Sequence, residues 1–283
     1  MKLIVGILIV TICVFGGFLM SGGQLLALWH PSEIIIIAGG ALGAFVVGNP
    51  PHVIKGVLKG LPKLFGGAKY SKKSYMDLLA LMYDLFAKAR KEGLMALEND
   101  IEEPQQSEIF KKYPKVLADH HALDFITDYM RLMVGGSMNP FELENLMDLE
   151  LEIHHHEALL PGDSVSNMSD GLPGFGIVAA VMGVVITMAS VGEPPEVLGA
   201  KIAAALVGTF LGILLAYGFV GPMANALKHR AEEEGKFLGC IKVCIMATLN
   251  GYTPQIAVEF GRKALPSTVR PGFAELEEHV KKK

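Results

Sequence analysis

The longest hydrophobic stretch of the chain lies between residues 171 and 227 and contains two apolar segments without a charged residue. These segments, Leu172–Gly192 and Ile202–Leu227, are joined by the polar link Glu193–Lys201. A helix of about 20 apolar residues crosses the roughly 30 Å hydrocarbon core of a bilayer. The pattern therefore predicts a hairpin of two membrane helices.

Small residues recur at helical spacing in both segments, which lets membrane helices approach each other closely. The two stripes consist of Gly176, Ala180, Gly183 and Thr187, and of Ala205, Thr209, Gly212 and Ala216. Pro173 marks the predicted start of the third span, and Pro222 lies near the end of the fourth, where it predicts a kink. We expect both stripes to pack on partner helices.

Two further spans are predicted near the N-terminus. The uncharged run Leu3–Trp29 is too long for a signal peptide and is followed almost at once by a second apolar run. His30–Glu33 is predicted to form the turn between them. The second span covers Ile34–Val47 and continues irregularly to Ile54. The membrane part therefore comprises residues 1–54 and 171–227.

Basic residues are concentrated after the second and fourth spans. They are Lys55, Lys59, Lys63, Lys69, Lys72 and Lys73, and then Lys228 and Arg230. The two opposite links contain a single lysine. The positive-inside rule therefore places residues 55–170 and 228–283, and both termini, in the cytoplasm. The net charge of −4 argues against a nucleic-acid partner.

Apolar residues in the two cytoplasmic segments recur at helical rather than strand spacing. Helices are predicted around Leu78–Phe86 and over Ser107–Ala118, Leu123–Met133, Pro140–Ala158, Lys228–Leu249, Pro254–Lys263 and Gly272–Val280. The predicted fold is an all-α membrane protein with four transmembrane helices. It has a cytoplasmic helical domain between spans 2 and 3 and a cytoplasmic helical C-terminal tail.

The sequence contains no persuasive catalytic constellation, so we predict neither an enzyme nor a cofactor. His154, His155 and His156 point about 100° apart on a helix and cannot face one metal ion together. The predicted spans contain no interior acidic or basic residue. Two interpretations follow: a membrane scaffold whose hydroxyls bond to their own helices, or half of an ion pathway whose ionisable group comes from a partner.

Four long sequence motifs resemble one family. They are LPGFGIVAAVMGVV at Leu172–Val185, VGTFLGILLAYGFVGPMA at Val207–Ala224, NGYTPQIAVEFGRKAL at Asn250–Leu265 and RPGFAELEEHV at Arg270–Val280. With the first two spans and the basic segment, they are similar to the flagellar stator A subunits of the MotA/TolQ/ExbB proton-channel superfamily. The resemblance covers essentially the whole chain.

This resemblance implies a mechanism for an inner-membrane protein. Five A subunits would surround two B subunits that are anchored to peptidoglycan. Protons would cross through an aspartate on the membrane helix of the MotB-like B subunit, and the turning A ring would push the FliG-like switch-ring protein of the rotor. The alternative within the superfamily is an ExbB/TolQ-like energiser of outer-membrane processes, which typically has three spans and an external N-terminus.

The resemblance also implies roles for individual residues near the ion path. Pro173 and Pro222 match two functional prolines beside the proton pathway, and Ala180 and Thr209 match positions that line it. Sodium-driven relatives tend to carry a hydroxyl where Ala180 stands. The methyl group of Ala180 cannot coordinate Na⁺, so H⁺ is the expected ion and Na⁺ is less favoured.

Three charged residues are implied to contact the rotor. Arg90 and Glu98 match a charged pair of the cytoplasmic segment that engages the switch-ring protein, and Glu150 joins this set. A separation of eight residues places Arg90 and Glu98 about 80° apart if both lie on one helix. We therefore expect both side chains to face the same partner.

Overall fold

The computed structural model describes residues 2–136 and 138–282, and no strand occurs in these ranges. The α-helices are α1 (Lys2–Met20), α2 (Pro31–Ile34), α3 (Gly40–Gly48), α4 (Pro51–Lys63), α5 (Lys72–Glu92), α6 (Glu98–Glu102), α7 (Pro114–Leu117), α8 (His120–Gly135), α9 (Pro140–Met188), α10 (Pro195–Ile213), α11 (Gly221–Leu249), α12 (Pro254–Ala264) and α13 (Phe273–Lys282). Short 3-10 segments cover Leu25–Leu28, Leu94–Leu97 and Phe110–Lys112, and π-helical segments cover Ile35–Gly39 and Leu214–Val220. The predicted all-α class is confirmed.

The chain forms two compact units, each built from two stretches of sequence. The first unit consists of Met1–Gly67 and Ala158–Arg230, and the second of Ala68–Glu157 and Ala231–Lys283. Helices α9 and α11 contribute residues to both units. Two of the three unit boundaries therefore fall inside continuous helices, and the third lies between α4 and α5.

Four helical stretches are long and apolar enough to cross a membrane: Lys2–Met20, Leu25–Gly48, Pro140–Met188 and Pro195–Leu249. The predicted number of spans is confirmed. The first helix, however, ends at Met20 and does not extend to Trp29. Gly22 follows with a φ of 82°, in the left-handed region that glycine adopts without a steric penalty, and turns the chain out of α1.

The helix of the second span ends before Asn49 and Pro50. Helix α3 stops at Gly48, and Pro50 adopts an extended conformation with a ψ of 155°. Pro51 then begins α4, because proline at the first helical position loses no hydrogen bond there. The predicted irregular continuation to Ile54 is therefore wrong. A separate helix begins instead, and Val53 and Val57 are buried on one of its faces.

The third span belongs to a helix of 49 residues, α9. The segments Pro140–Ala158 and Leu172–Gly192, predicted as separate helices, are joined in it up to Met188. Pro173 consequently lies in the helix interior and does not mark a helix start. An interior proline removes one backbone hydrogen bond, so a continuous helix requires compensating contacts elsewhere.

Such contacts surround Pro161, the other interior proline of α9. The Lys228 Nζ lies 2.7 Å from Asp163 Oδ1, and the Ser164 hydroxyl donates a hydrogen bond of 2.6 Å to Asn49 Oδ1. These bonds tie α9 to α11 and to the end of the second span. Tertiary packing therefore overrides the local signal that predicted a break.

The second unit has a large apolar core. Helix α5 places Leu78, Leu79, Met82, Leu85 and Phe86 in it, each with at most 1% of its surface exposed. The periodicity of this helix predicted that face. Burial of each such side chain contributes about 1.5–3 kcal/mol. Ser71 caps the helix by accepting a hydrogen bond from the Ser74 amide.

One predicted helix of the second unit is wrong. In place of a helix over Ser107–Ala118, the chain forms a 3-10 segment and the four-residue α7. The Ser107 hydroxyl accepts hydrogen bonds from the amides of Ile109 and Phe110, which favours a turn. Pro114 then disfavours helical geometry at Tyr113, whose φ and ψ are −123° and 61°. The remaining predicted helices lie within α8, α11, α12 and α13, except that Gly272 precedes α13 by one residue.

Candidate functional site

The two small-residue stripes pack directly against each other within the first unit. A methyl group at Gly176 of α9 would lie 2.9 Å from the Gly208 carbonyl oxygen and 3.1 Å from the Gly212 Cα of α10. Nearer the α9–α10 link, a methyl group at Gly183 would lie 2.7 Å from the Ala205 Cβ. The backbones therefore touch, as small residues in membrane helices permit. The stripes, expected to meet partner helices, form this intramolecular seam.

A hydrogen bond crosses between the helices close to Pro173. Pro173 has no amide to offer the carbonyl of Ser169, one helical turn earlier. The Ser169 side chain, only 2% exposed, donates a hydrogen bond of 2.9 Å to the Ala216 carbonyl. Ser169 therefore links the Pro173 region of α9 to the π-helical segment that precedes Pro222.

The π-helical segment Leu214–Val220 ends directly before Gly221 and Pro222. The Gly221 amide donates to the Ala216 carbonyl, five residues earlier, as in a π-helix. The Ala216 oxygen consequently accepts two hydrogen bonds, from Gly221 and from Ser169. Pro222 is exposed, and the helix continues through it to Leu249. The structure thus connects the regions around Pro173 and Pro222. The role of these two prolines beside the ion path stays a prediction.

Ala180 and Thr209 lie in the same part of the seam. A methyl group at Gly208, next to Thr209, would lie 3.3 Å from the Ala180 amide nitrogen. Both residues are partly exposed, so they offer surface to a further helix. The Thr187 hydroxyl, by contrast, bonds to the Gly183 carbonyl of its own helix at 2.8 Å, as the scaffold interpretation predicted for such groups.

The structure buries Glu33, an acidic residue of the second apolar stretch. The sequence placed it in a turn outside the membrane. In the structure it belongs to α2, inside the apolar stretch Leu25–Gly48, and is only 7% exposed. The polar neighbourhood of His30, Pro31 and Ser32 concealed this burial, because a local pattern does not show which helix face is covered.

Arg90 and Glu98 do not share a helix. Arg90 lies in the last turn of α5, which ends at Glu92 before Gly93, and Glu98 begins α6 after a 3-10 segment. Gly93 has a φ of 89°, a conformation available to glycine that breaks the helix. The estimated angle of about 80° between the two side chains therefore does not apply. Both side chains are nevertheless exposed.

The two charges line neighbouring but separate depressions of the second unit. Arg90 borders one with Leu94 and Tyr252, whereas Glu98 borders another with Glu102 and Arg131. The Arg131 Nε donates a hydrogen bond of 2.7 Å to Glu102 Oε1, and this bond lowers the pKa of Glu102. Arg90 thus adjoins exposed apolar surface, and Glu98 adjoins an ion pair.

Glu150, predicted to contact the rotor, also forms a hydrogen bond within the second unit. It is exposed, but its Oε2 accepts a hydrogen bond of 2.6 Å from the Tyr129 hydroxyl. Burial and this bond raise the pKa of Tyr129 above its ordinary value. A substitution at Glu150 would therefore affect the packing between α8 and α9 in addition to any surface contact.

A cluster of potential metal ligands brings together residues that the sequence argument treated separately. His121 of α8, His154 of α9 and Glu234 of α11 have ligand atoms within 4.8 Å of one another. The His121 Nδ1 lies 2.8 Å from Glu234 Oε1 and 3.2 Å from His154 Nε2. His155 and His156 do not belong to this cluster, which agrees with the expectation that consecutive histidines diverge.

The fold and the α9–α10 seam define a class: a four-span helical membrane protein with a second helical unit. Family models and relatives narrow this class. Residues 4–93 match the model described as motility protein A N-terminal, and residues 118–238 match that of the MotA/TolQ/ExbB proton channel family. The chain is 56% identical to motility protein A of Escherichia coli (strain K12), over 99% of this chain and 95% of that protein.

Other relatives agree. Chemotaxis protein LafT of Vibrio parahaemolyticus is 40% identical over 98% of this chain and 97% of its own length. The solved flagellar MotAB stator complex from Bacillus subtilis matches with a TM-score of 0.75 and 25% identity, over 94% of this chain and 96% of that one. The C. jejuni MotAB structure matches with a TM-score of 0.77 at 21% identity, which shows the fold. The chain belongs to the motility protein A family.

Proposed function

We propose that the chain is the A subunit of a bacterial flagellar stator, which couples proton flow across the inner membrane to torque on the rotor. The observation that carries this proposal is the 56% identity to motility protein A of E. coli over nearly the whole chain. The match of residues 4–93 to a motility-specific model disfavours an ExbB/TolQ-like energiser. A plain scaffold is disfavoured by the match to a proton channel family.

The proposed partner is a peptidoglycan-anchored B subunit whose membrane helix carries an aspartate. The solved relatives are MotAB complexes, which supports a B-subunit partner and self-association. The partly exposed surface at Ala180 and Thr209 is available to such a helix. The family resemblance supports an assembly of five A and two B subunits.

The proposed ion is H⁺, with Na⁺ less favoured. Ala180 presents a methyl group, whereas a dehydrated hard cation requires oxygen ligands. Thr209, on the neighbouring helix, has one hydroxyl, which alone does not form a coordination shell. A proton needs only a hydrogen-bonded path to a carboxylate.

Exposed charges of the second unit are proposed to transmit torque to the FliG-like switch-ring protein. Arg90 and Glu98 project from two different elements, so they would contact two points of the rotor surface. Glu150 would contribute a third charge, although one of its carboxylate oxygens already accepts a hydrogen bond from the Tyr129 hydroxyl. Both termini and this unit are proposed to be cytoplasmic, as the lysines after the second span indicate.

Complementation tests this function. The chain and its cognate B subunit, expressed in a strain that lacks its own stator, should restore swimming. Arg90→Glu and Glu98→Lys should reduce swimming while membrane insertion stays normal. Lys91→Glu is the matched control, because Lys91 is the exposed neighbour of Arg90 and has no assigned role. Failure of the wild-type pair to restore motility would contradict the proposal.

The ion can be determined separately from the motor function. Swimming speed of the complemented strain should persist in sodium-free medium and collapse with a protonophore. Ala180→Ser introduces the hydroxyl expected of sodium-driven relatives and should not abolish motility. Speed that depends on sodium and resists the protonophore would overturn the assignment of H⁺ but leave the stator function intact.

A further inference from the structure

Glu33 is a buried carboxyl group whose Oε2 atom has no hydrogen-bond partner in the part of the chain that the structure describes. The residue is 7% exposed. A buried acid normally has partners: Asp100, also 7% exposed, accepts bonds from Lys88 at 2.6 Å and Ser107 at 2.5 Å. Glu33 differs from Asp100 in this respect, although both are equally covered.

The carboxyl group of Glu33 occupies space that a glycine provides. A methyl group at Gly208 of α10 would lie 2.9 Å from the Glu33 Oε2, 3.1 Å from the Ala179 Cβ and 3.3 Å from the Ala180 amide nitrogen. The carboxyl therefore sits where α2, α9 and α10 meet. Apart from this carboxyl, the atoms nearest to that methyl group belong to the Ala179 side chain and the Ala180 backbone, and His30, directly before α2, is a titratable group that interacts with Glu33.

Burial of an ionised carboxylate without a partner is so costly that the group holds a proton instead. Stability therefore does not explain why an acid stands here, since an apolar residue of similar volume would cost less. Ionisable residues inside membrane spans mark ion pathways and proton relays. Glu33 lies beside Gly208, close to Ala180 and Thr209. These two residues are the ones predicted to line the ion path.

We propose that Glu33 is a proton-binding site of this chain, and that it transfers protons to the carboxylate of the partner's membrane helix. The proposal rests on the proposed stator function. Glu33 follows the turn between the first two spans, on the same side as the α9–α10 link, which the charge pattern places outside. The O–H bond of the protonated Glu33 breaks as a new one forms at the partner carboxylate, directly or through water. A proton from the outer side then binds the Glu33 carboxylate and restores the protonated acid.

The test measures proton uptake by vesicles that contain the chain with its B subunit. Glu33→Gln keeps the shape and hydrogen-bonding capacity of the side chain but cannot exchange a proton, and it should lose most of the flux. Glu33→Asp keeps the carboxyl and should retain flux. Glu196→Gln is the matched control, because it neutralises an exposed acid in the first turn of α10, at the same end.

Each outcome decides one proposal. If the wild-type pair conducts no protons, the stator function fails. If the wild type and Glu33→Gln conduct equally, the Glu33 proposal fails and the stator function stands. Equal loss in the Gln and Asp variants, with normal copurification of the B subunit, would mean that Glu33 is needed only for its shape, and would also overturn the proposal.

A spectroscopic measurement applies even if the variant does not assemble. The infrared spectrum of the purified full chain should contain the C=O band of a protonated carboxylic acid at neutral pH. This band should disappear in Glu33→Gln and persist in Glu196→Gln. If this C=O band were the same in the wild type and in Glu33→Gln, the result would contradict a proton bound at Glu33.

A second inference concerns the His121–His154–Glu234 cluster of the other unit. The His121 Nδ1 contacts both Glu234 Oε1 and His154 Nε2. A ring nitrogen is either a donor or an acceptor, so it cannot donate to Glu234 and accept a hydrogen bond from His154 at the same time. The other ring nitrogen of His154, Nδ1, which does not contact His121, is buried and has no hydrogen-bond partner among the described residues.

Two of the three distances between the ligand atoms are close to those around a tetrahedral cation, and the third is within 4.8 Å. Zinc bonds of about 2.0–2.1 Å place neighbouring ligand atoms roughly 3.3 Å apart. The two contacts of 2.8 and 3.2 Å are close to this value. We propose that His121, His154 and Glu234 bind a divalent transition metal such as Zn²⁺. Lys69 lies 3.7 Å from Glu234 Oε1 but also 3.0 Å from Asp119, so it can remain paired when a cation enters.

Calorimetric titration of the full chain with Zn²⁺, in detergent and without a histidine tag, tests this site. We expect one equivalent to bind and to raise the melting temperature. His154→Ala and the conservative Glu234→Gln should abolish both effects, whereas the exposed His156→Ala should not. Equal binding by His154→Ala and wild type, or scattered weak binding that indicates an adventitious ion only, would overturn the proposal.

Discussion

Glycines determine how closely the helices of the first unit approach. Gly212 is the clearest case, because a methyl group on it would lie 2.8 Å from the Leu172 carbonyl oxygen and 2.9 Å from the Gly176 Cα. Backbone atoms cannot move aside as a flexible side chain can. Gly199 occupies the same helix α10, yet a methyl group there would meet nothing within 4 Å. The same residue type thus has different importance at the two positions.

Gly212→Ala should separate α9 from α10 and destabilise the protein by about 1–3 kcal/mol, a typical cost of overpacking. Thermal or denaturant unfolding in detergent measures the change. Gly199→Ala is the matched control and should be neutral or slightly stabilising, since alanine favours a helix over glycine. Equal effects of the two substitutions would show that the α9–α10 contact is not the cause.

A buried hydrogen bond joins two helices of the first unit close to Pro173 and Pro222. The Ser169 hydroxyl and the Gly221 amide both bond to the Ala216 carbonyl beside the π-helical segment. π-Helical turns often occur at functional sites. This arrangement connects α9, near Pro173, to the π-helical segment that precedes Pro222. Periodicity could not predict it, since the two bonding residues are 47 positions apart.

Ser169→Ala removes a buried hydrogen bond and should lower stability by about 0.5–1.5 kcal/mol. The effect should be local, with faster amide hydrogen exchange over residues 214–221. Thr187→Ala is the control, because its hydroxyl bonds within α9 and does not reach this segment. Unchanged exchange in Ser169→Ala would contradict a role for this side chain in holding the π-helical segment.

An ion pair within helix α12 makes the stability of the protein dependent on pH. Arg262 donates two hydrogen bonds of 2.6 Å to Glu259 and one of 2.9 Å to the Pro271 carbonyl. The bond from Arg262 lowers the pKa of Glu259 below its ordinary value of 4.5. The folded state therefore binds this proton less readily than the unfolded state does. The stabilisation is complete above pH 4.5 and is lost as the pH falls through the lowered pKa.

Between pH 6 and pH 3, the free energy of unfolding should therefore fall less steeply in Glu259→Gln than in the wild type. Denaturant titrations at a series of pH values give this slope. In the Glu259→Gln/Arg262→Gln double variant, the slope should equal that of Glu259→Gln alone. A wild-type slope in Glu259→Gln would mean that this pair does not contribute to the acid sensitivity.

At the scale of the whole molecule, the distribution of lysines predicts a single orientation. Six lysines follow the second span between Lys55 and Lys73, while the link Glu193–Lys201 holds one, which pairs with Glu193 at 3.2 Å. Short segments rich in lysine stay in the cytoplasm. The link between α9 and α10 should consequently face outward, and the second unit inward.

Labelling of single cysteines in intact cells tests this orientation. Cys13, Cys240 and Cys244 are first replaced by alanine. A membrane-impermeant maleimide should then label Glu196→Cys from outside. Lys111→Cys, on the second unit, should react only after the membrane is permeabilised. The reverse pattern would contradict the orientation, and labelling of both positions would indicate mixed insertion.

Hydropathy was enough to predict four helical spans, because backbone groups in lipid must bond within a helix, and the spacing of apolar residues predicted the other helices. Charge predicted an orientation, and the motifs identified the family. Tertiary structure decided the burial of Glu33, the Ser169–Ala216 bond and the convergence of His121 with His154. These depend on contacts between distant residues, whereas periodicity records only which face of a segment is apolar. The break at Gly93 between Arg90 and Glu98 likewise depends on a backbone conformation that residue spacing does not show.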